Sequence, residues 1–155
     1  AILASGLAYA WTNSQKIIGA ILVTESNKSK TPSWAGIIVH ITDSTHMREE
    51  ECYAWAREKN YKRCFYHIVI EPDASWYRGR SLREPGAHTY GKNQTMLGIA
   101  FVTKGPISDG QLETFKAIRE DLGRLYGPLP LHPHREFNKN KTCPGDEVWE
   151  KVKNL

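Results

Sequence analysis

Short apolar segments that alternate with amphipathic segments are the feature that most constrains the fold of this chain. Residues 34–41 (WAGIIVHI), 64–73 (CFYHIVIEPD) and 97–103 (LGIAFVT) have the length and aliphatic content of buried strands. WYRGR (residues 76–80) can form a hairpin with the second strand, and DEVWEKV (residues 146–152) predicts a closing helix. Strands in alternation with helices predict an α/β fold, here one domain with a central mixed β-sheet flanked by helices.

Two longer helices can be placed from their capping residues. The first is predicted over residues 47–60, with Ser44 or Thr45 as its N-cap and acidic residues in its first turn. The second begins after Ser108 and ends at Gly127. Its apolar residues recur at helical spacing: Leu112, Phe115, Ile118, Leu122 and Leu125. This spacing indicates a helix that packs one face on the core.

Composition limits the class of protein and its partners. A chain of 155 residues with 40% apolar and 25% charged residues can form one soluble globular domain with a real core. The net charge of +4 suits an anionic partner such as cell wall, nucleic acid or acidic lipid. No run of Lys and Arg resembles a nucleic-acid-binding tract, so we expect no nucleic-acid partner.

The first 33 residues are predicted to be an extension of unclear role, before a main domain at residues 34–155. Within the extension, KIIGAILVT (residues 16–24) could form a strand, and residues 25–33 read as a polar loop. The apolar opening, residues 1–11, is shorter than the roughly 20 residues that a membrane helix needs. We therefore expect no stable membrane span.

Three cysteines are too few for a disulfide scaffold. Cys52 and Cys64 can pair between the first helix and the next strand, or remain two buried thiols, and the residues leave both alternatives open. The odd count leaves at least one thiol free or bound to a metal.

Residues 131–145 (LHPHREFNKNKTCPG) carry the strongest chemical signal. Imidazole nitrogen and thiolate sulfur are ligands that zinc prefers, and a catalytic zinc usually has three protein ligands. Cys143 with His132 or His134 would supply two, and His40, at the end of an apolar strand, is the best third candidate. Taken singly, a His beside an apolar strand also fits a structural role, and a Cys fits a small buried apolar residue. In addition, the gap between His and Cys matches no zinc-finger pattern.

Four segments, taken in order, place these residues in a family. They are IIVHITDST, FYHIVIEPDASWYRGR, GAHTYGKNQTMLGIAFV and HREFNKNKTCPG, which together span residues 37–145. They resemble the motifs of the N-acetylmuramoyl-L-alanine amidases of the phage lysozyme and peptidoglycan-recognition-protein superfamily. The resemblance implies an α/β domain with an open groove over one zinc ion.

The resemblance also implies a role for each matching residue. His40, His134 and Cys143 would bind zinc, one ion per chain, and Tyr66 and Lys141 would stand beside the metal as catalytic helpers. Without the resemblance, the tyrosine would be read as a residue at the edge of the core and the lysine as a solvated loop charge.

Other histidines are assigned in the same way. His88 and Asn93 would line the substrate groove, although both could simply be turn residues. His134 is preferred to His132 because the following Arg-Glu-Phe matches the family only from His134. His67 should face away from the site, because neighbouring residues of a strand alternate between faces.

The implied activity is hydrolysis of the amide between the lactyl group of N-acetylmuramic acid and L-alanine of the peptidoglycan stem peptide. Zinc lowers the pKa of a bound water to about 7. Lys141 would then stabilise the oxyanion, and Tyr66 would orient the water or transfer a proton. The partner would be peptidoglycan or a muropeptide, and the protein a monomer that is periplasmic, secreted, or released from a host cytoplasm as a phage endolysin.

Two other classes of function stay open at this point. One is a non-catalytic peptidoglycan-binding module, which would fit better had Cys143 been replaced. The other is a cysteine hydrolase with Cys143 as nucleophile and His134 as base. The sequence also departs from the family at Ala74, where an Asp-Gly turn is commoner, and at Phe65, which replaces a Gly.

Overall fold

The computed structural model describes residues 33–155, which form a five-stranded sheet with helices on its faces. The strands are β1 (Gly36–Ile41), β2 (Ile68–Ile70), β3 (Trp76–Arg78), β4 (Met96–Phe101) and β5 (Leu131–Pro133). The helices are α1 (Glu49–Glu58), α2 (Asp109–Tyr126), α3 (His134–Phe137) and α4 (Asp146–Val152). The predicted α/β class and mixed sheet are therefore confirmed.

The strand order β3-β2-β4-β1-β5 determines where the carboxyl ends of the strands meet. β2, β4, β1 and β5 run parallel, and β3 is antiparallel at one edge. β1 pairs with β4 along its whole length, with His40 opposite Ala100. Parallel strands end at a common edge of the sheet, where α/β proteins usually place their binding sites.

The sheet buries a different cluster of side chains on each face. The larger cluster packs sheet residues against α2 and α4, and the ring centroids of Phe101 and Phe115 lie 5.3 Å apart in it. α2 forms as predicted, because the Ser108 side chain accepts a hydrogen bond from the backbone N–H of Gln111 and Gly127 follows its last turn. The smaller cluster contains Cys52 of α1 with residues of the opposite face of the sheet.

The start of α1 differs from the prediction. Its N-cap is Arg48, whose backbone N–H donates to the Glu51 carboxylate at 2.6 Å. Ser44 lies before the helix begins, and its hydroxyl is hydrogen-bonded to that of Thr42 at 2.8 Å. The expectation of a Ser44 or Thr45 cap was therefore wrong. The chain turns before it reaches the helix, with Asp43 at a φ of 54°.

The smaller cluster also contains a disulfide between Cys52 and Cys64. The bond joins α1 to the segment that leads into β2. It decides between the two alternatives that the residues left open, and Cys143 is the free cysteine of the described residues.

The segment of the second predicted strand is regular over only three residues, Ile68–Ile70. Pro72 follows it, and the hairpin to β3 turns at Ala74, which has a φ of 68°. The left-handed conformation that a glycine would adopt freely is thus taken by an alanine.

The predicted strand at residues 16–24 lies outside the described residues, and the boundary of the extension at residue 33 stays a prediction. Within residues 33–155, no helix is long and apolar enough to cross a membrane.

Candidate metal centre

Three potential metal ligands meet at the carboxyl edge of the sheet. One donor atom each of His40, His134 and Cys143 lies within 4.8 Å of the other two. His40 is near the end of β1, and His134 is the first residue of α3, directly after β5. Because β1 and β5 are neighbouring parallel strands, their ends bring the two histidines together. Cys143 reaches the same point from the loop before α4.

The distances in this group suit a zinc ion. Nδ1 of His40 lies 3.8 Å from Sγ of Cys143, and the imidazole centroids of His40 and His134 are 4.5 Å apart. With zinc bonds of about 2.0 Å to nitrogen and 2.3 Å to sulfur, the ligand atoms of a tetrahedral site lie roughly 3.3 to 3.6 Å apart. Zinc binding would require the donor atoms, which lie within 4.8 Å of one another, to move closer together. The donor set consists of two imidazoles and one thiol, and the side of the group that faces the cleft is open. A catalytic zinc site has this arrangement.

Backbone hydrogen bonds hold the loop that carries Cys143. The Arg135 N–H donates to the Cys143 carbonyl at 2.9 Å, and the Gly145 N–H donates to the Thr142 carbonyl at 2.8 Å. The sulfur accepts the N–H of Ile41 at 3.3 Å, which fixes it beside the end of β1. The peptide bond before Pro144 is cis. The thiol is therefore positioned by α3 and β1 together.

Burial sets the protonation of the three groups. It lowers the pKa of His40 well below its usual value, with the nearby His88 and His134 acting in the same direction. The pKa of His134 is also lowered, by burial and by the charge of Lys141. Burial raises the pKa of the Cys143 thiol to about 11, against the opposing effects of the Ile41 N–H and of Lys141. In the metal-free protein at neutral pH, the site thus holds two neutral imidazoles and a thiol.

Tyr66 and Lys141 both border this site. The Tyr66 ring centroid is 5.2 Å from that of His40, and its side chain is buried. Burial, followed by the neighbouring Cys143, raises the pKa of the phenol above its usual value. Lys141 is exposed and lies two residues before the cysteine. Both line the same cleft as the three donor groups, and their catalytic role stays a prediction.

A cleft of about 500 Å³ opens over the three donor groups, with Tyr66 and Lys141 in its wall. Sequence reasoning did not select Trp55, Asp43 and Lys104, which line it as well. A usable signal existed for two of them: Asp43 follows β1 and Lys104 follows β4, so both lie at the carboxyl edge of the parallel strands. Trp55 lies on α1, and the sequence pattern of this helix did not indicate which of its faces points toward the cleft.

Of the two predicted groove residues, His88 lines the cleft and Asn93 does not. His88 is buried, and its Nδ1 is 3.0 Å from Nε2 of His40. The Asn93 side-chain oxygen accepts the backbone N–H groups of His88 and Thr89 at 2.8 and 2.9 Å. Burial lowers the pKa of His88 to about 3, so the ring is neutral. A substrate contact for either residue stays a prediction.

His132 and His67, which the sequence analysis did not assign to the metal site, lie outside the metal group. The His132 ring is 3.0 Å from the Glu136 carboxylate. His67 is buried, and its Nδ1 accepts the Gly98 N–H at 2.9 Å while its Nε2 lies 2.9 Å from the Glu84 carbonyl. Its burial lowers its pKa to about 4.

Curated relatives of this chain include recognition proteins of animals. Peptidoglycan-recognition protein SD of Drosophila melanogaster is 26% identical, over 77% of this chain and 72% of the relative. Peptidoglycan recognition protein 3 of Mus musculus is 23% identical, over 84% of this chain and 41% of the relative. The human protein of that name is 29% identical, over 51% of this chain and 26% of the relative. The chain thus spans less than half the length of the two mammalian relatives.

Solved structures with this fold include bacterial and phage enzymes. N-acetylmuramoyl-L-alanine amidase LysC from Clostridium intestinale URNW superposes with a TM-score of 0.74 at 24% identity, over 81% of this chain and 87% of that one. The Ph2119 endolysin from Thermus scotoductus MAT2119 bacteriophage superposes with a TM-score of 0.69 at 21% identity, over 82% and 86%. The sequence itself matches the family described as N-acetylmuramoyl-L-alanine amidase over residues 29–146. With its mixed sheet and its His-His-Cys group, the chain therefore belongs to the N-acetylmuramoyl-L-alanine amidase family.

Proposed function

We propose that this protein is a zinc-dependent hydrolase that cleaves the amide between the lactyl group of N-acetylmuramic acid and L-alanine of the peptidoglycan stem peptide. The observation that carries the proposal is the meeting of His40, His134 and Cys143 under a cleft that Tyr66 and Lys141 also line. Each chain would bind one zinc ion. The protein would act as a monomer on the cell wall, as a periplasmic or secreted enzyme or as a phage endolysin.

The residues around the metal would divide the chemistry between them. Bound zinc would activate water and polarise the scissile carbonyl. The Lys141 ammonium, which faces the same cleft, would stabilise negative charge as it develops on the carbonyl oxygen. The raised pKa of Tyr66 keeps its phenol protonated, so the hydroxyl would act as a hydrogen-bond donor that orients the water or the carbonyl.

The cleft also suits the substrate in size and chemistry. About 500 Å³ lies within the range of small-ligand sites. Trp55 provides an aromatic wall, while Lys104 is exposed and forms no ion pair within residues 33–155. A muramoyl peptide has both a sugar face and stem-peptide carboxylates, which these two side chains could contact.

Two alternatives would give different chemistry. A recognition module without catalysis fits the animal relatives by name, but Cys143, Tyr66 and Lys141 are all retained here. A cysteine hydrolase needs a thiolate at neutral pH, and burial raises the pKa of the Cys143 thiol to about 11 instead. We therefore favour the zinc enzyme.

The proposal is tested by incubating the purified protein with peptidoglycan and labelling new amino termini. New L-alanine termini that disappear with a chelator and return with zinc are expected. Binding to peptidoglycan without new termini, in zinc-loaded protein, would mean a recognition module. Cleavage that persists after zinc removal would mean a thiol enzyme, and new reducing sugar ends would mean glycan cleavage.

A further inference from the structure

We propose that His88 is a positioning residue, which fixes His40 in the tautomer that presents Nδ1 to the metal. The inference rests on the proposed zinc site. Nε2 of His40 lies 3.0 Å from Nδ1 of His88, and both rings are buried. The two imidazoles meet nearly edge to face, with an interplanar angle of 80°. His40 therefore turns one nitrogen toward His88 and the other toward Cys143.

A carbonyl group determines which nitrogen carries each proton. Nε2 of His88 lies 3.3 Å from the Met96 carbonyl, and a carbonyl can only accept. Nε2 of His88 must therefore carry the proton, which leaves Nδ1 of this neutral ring as an acceptor. Nε2 of His40 then donates to that acceptor. Nδ1 of His40 is left with a free lone pair, as a metal ligand requires.

The hydroxyl of Thr89 joins this pair without changing its direction. Its oxygen lies 3.0 Å from Nδ1 of His88 and 3.4 Å from Nε2 of His40. If the hydroxyl donates to His88, its oxygen accepts from His40. If it donates to neither ring, His40 donates to His88 directly. Donation to Nε2 of His40 is unfavourable, because the lone pairs of that atom and of Nδ1 of His88 would then face each other across 3.0 Å. Both favourable arrangements protonate His40 at Nε2 and leave its Nδ1 free.

Two glycines form a slot for the His88 ring. A Cβ on Gly98 of β4 would lie 2.4 Å from Cδ2 of His88, and one on Gly86 would lie 2.3 Å from the same atom. Real Cβ contacts are essentially never that short, and Gly98 has no room to move because it lies within a paired strand. Asn93 closes the loop by accepting the His88 N–H. The loop and the strand thus hold the ring under His40.

This arrangement gives His88 a task beyond the groove contact predicted for it, although the residue also lines the cleft. Both of its ring nitrogens face protein atoms, on His40 and on the Met96 carbonyl. The ring therefore has no free nitrogen for a substrate. A contact residue would affect mainly the KM for peptidoglycan, whereas a positioning residue affects the affinity for zinc.

The inference is tested by measuring zinc dissociation constants with a competing chelator. His88→Leu, which removes the acceptor, should weaken zinc binding about 10- to 100-fold, the usual effect of losing such a partner. His88→Gln, whose amide can accept from His40 and donate to Met96, should recover part of that loss. His46→Leu is the matched control, because His46 is exposed and pairs with Glu51. Unchanged zinc affinity in His88→Leu, with a raised KM, would overturn the inference.

A measurement on the unmodified chain decides the case even where His88→Leu fails to fold. Nitrogen-15 NMR of the metal-free protein should show His40 protonated at Nε2 and not at Nδ1. The opposite tautomer would refute the hydrogen-bond chain. These outcomes are separate from the proposed function: failure to cleave peptidoglycan would refute the amidase activity and leave zinc affinity and tautomer to decide on His88.

Discussion

Nδ1 of His40 lies 3.8 Å from the sulfur of Cys143, although the two residues are 103 positions apart in the chain. The contact joins the end of β1 to the loop before α4. A metal held between them would therefore link two distant parts of the sequence, so its binding should be visible in stability as well as in activity.

Cys143→Ser should lose zinc and amidase activity together. A serine hydroxyl does not ionise near neutral pH, so it is a much poorer zinc ligand than a thiolate. The unmodified protein should be stabilised by zinc, by about 2.7 kcal/mol at a free concentration 100 times its dissociation constant, and the variant should show almost no shift. Thermal unfolding with and without zinc, together with metal analysis, measures this. Full activity in the variant would remove Cys143 from the ligand set.

Two nearby histidines allow a matched comparison. His134→Gln should abolish stoichiometric zinc binding, whereas His132→Gln should retain it, because the His132 ring pairs with Glu136 outside the metal group. Both changes remove one imidazole from the same segment, so general damage would affect both. Metal content after dialysis gives the result. Loss of zinc in His132→Gln alone would reverse the assignment.

The fold could be predicted where local sequence and burial agree. α2 begins after Ser108 as predicted, because a hydroxyl cap and a regular apolar stripe both indicate the same start. α1 begins at Glu49 instead of after Ser44 or Thr45, and the Ser44 hydroxyl is hydrogen-bonded to that of Thr42. That contact depends on the turn at Asp43, which local propensity does not reveal.

The metal group could be predicted mainly from the four family motifs, which also selected His134 over His132. Without them, His40 near the end of an apolar strand was one candidate among residues that each fitted a structural role. The surroundings of His88 could not be predicted, because the slot depends on Gly98 in a strand meeting Gly86 in an irregular loop. No periodic pattern connects two such positions.

Zinc binding should release between one and two protons per ion near pH 7.5, one from the Cys143 thiol and a further fraction from the bound water, whose pKa zinc lowers to about 7. Burial raises the pKa of the Cys143 thiol to about 11, so the thiol is protonated before the metal binds and must ionise to bind it. The pKa values of His40 and His134 are lowered, so these rings have no proton to release. Affinity should rise at least tenfold per pH unit, because at least one proton leaves for each ion bound. Calorimetry in buffers of different ionisation enthalpy counts the protons, and a count of zero would contradict the buried thiol.

The buried His67 should make the fold sensitive to acid. Its pKa is about 4 in the folded protein, against the ordinary value of 6.5 in the unfolded chain. Below pH 6.5 the unfolded state therefore binds more protons, and stability falls as the pH falls toward 4. His67→Gln should reduce the loss of unfolding free energy between pH 7 and 5 by on the order of 2 kcal/mol. Urea unfolding of metal-free protein measures this, with His46→Gln as the exposed control. An unchanged pH dependence in His67→Gln would contradict the buried neutral ring.

Tyr66 and Lys141 should be separable from the metal ligands by their effect on zinc. Lys141→Met removes a charge aimed at the oxyanion and should lower kcat by roughly 100- to 1000-fold. Tyr66→Phe removes a hydroxyl donor and should lower kcat by about 100-fold or more. Neither side chain belongs to the donor group, so zinc content should stay at one per chain in both variants.

Lys104→Met is the comparison for Lys141→Met, because it removes a cation from the wall of the same cleft. It should raise the KM more than it lowers kcat, since Lys104 is expected to contact the stem peptide and not the reacting amide. An equal loss of kcat in both lysine variants would show that the cleft requires positive charge in general, without a specific role for Lys141.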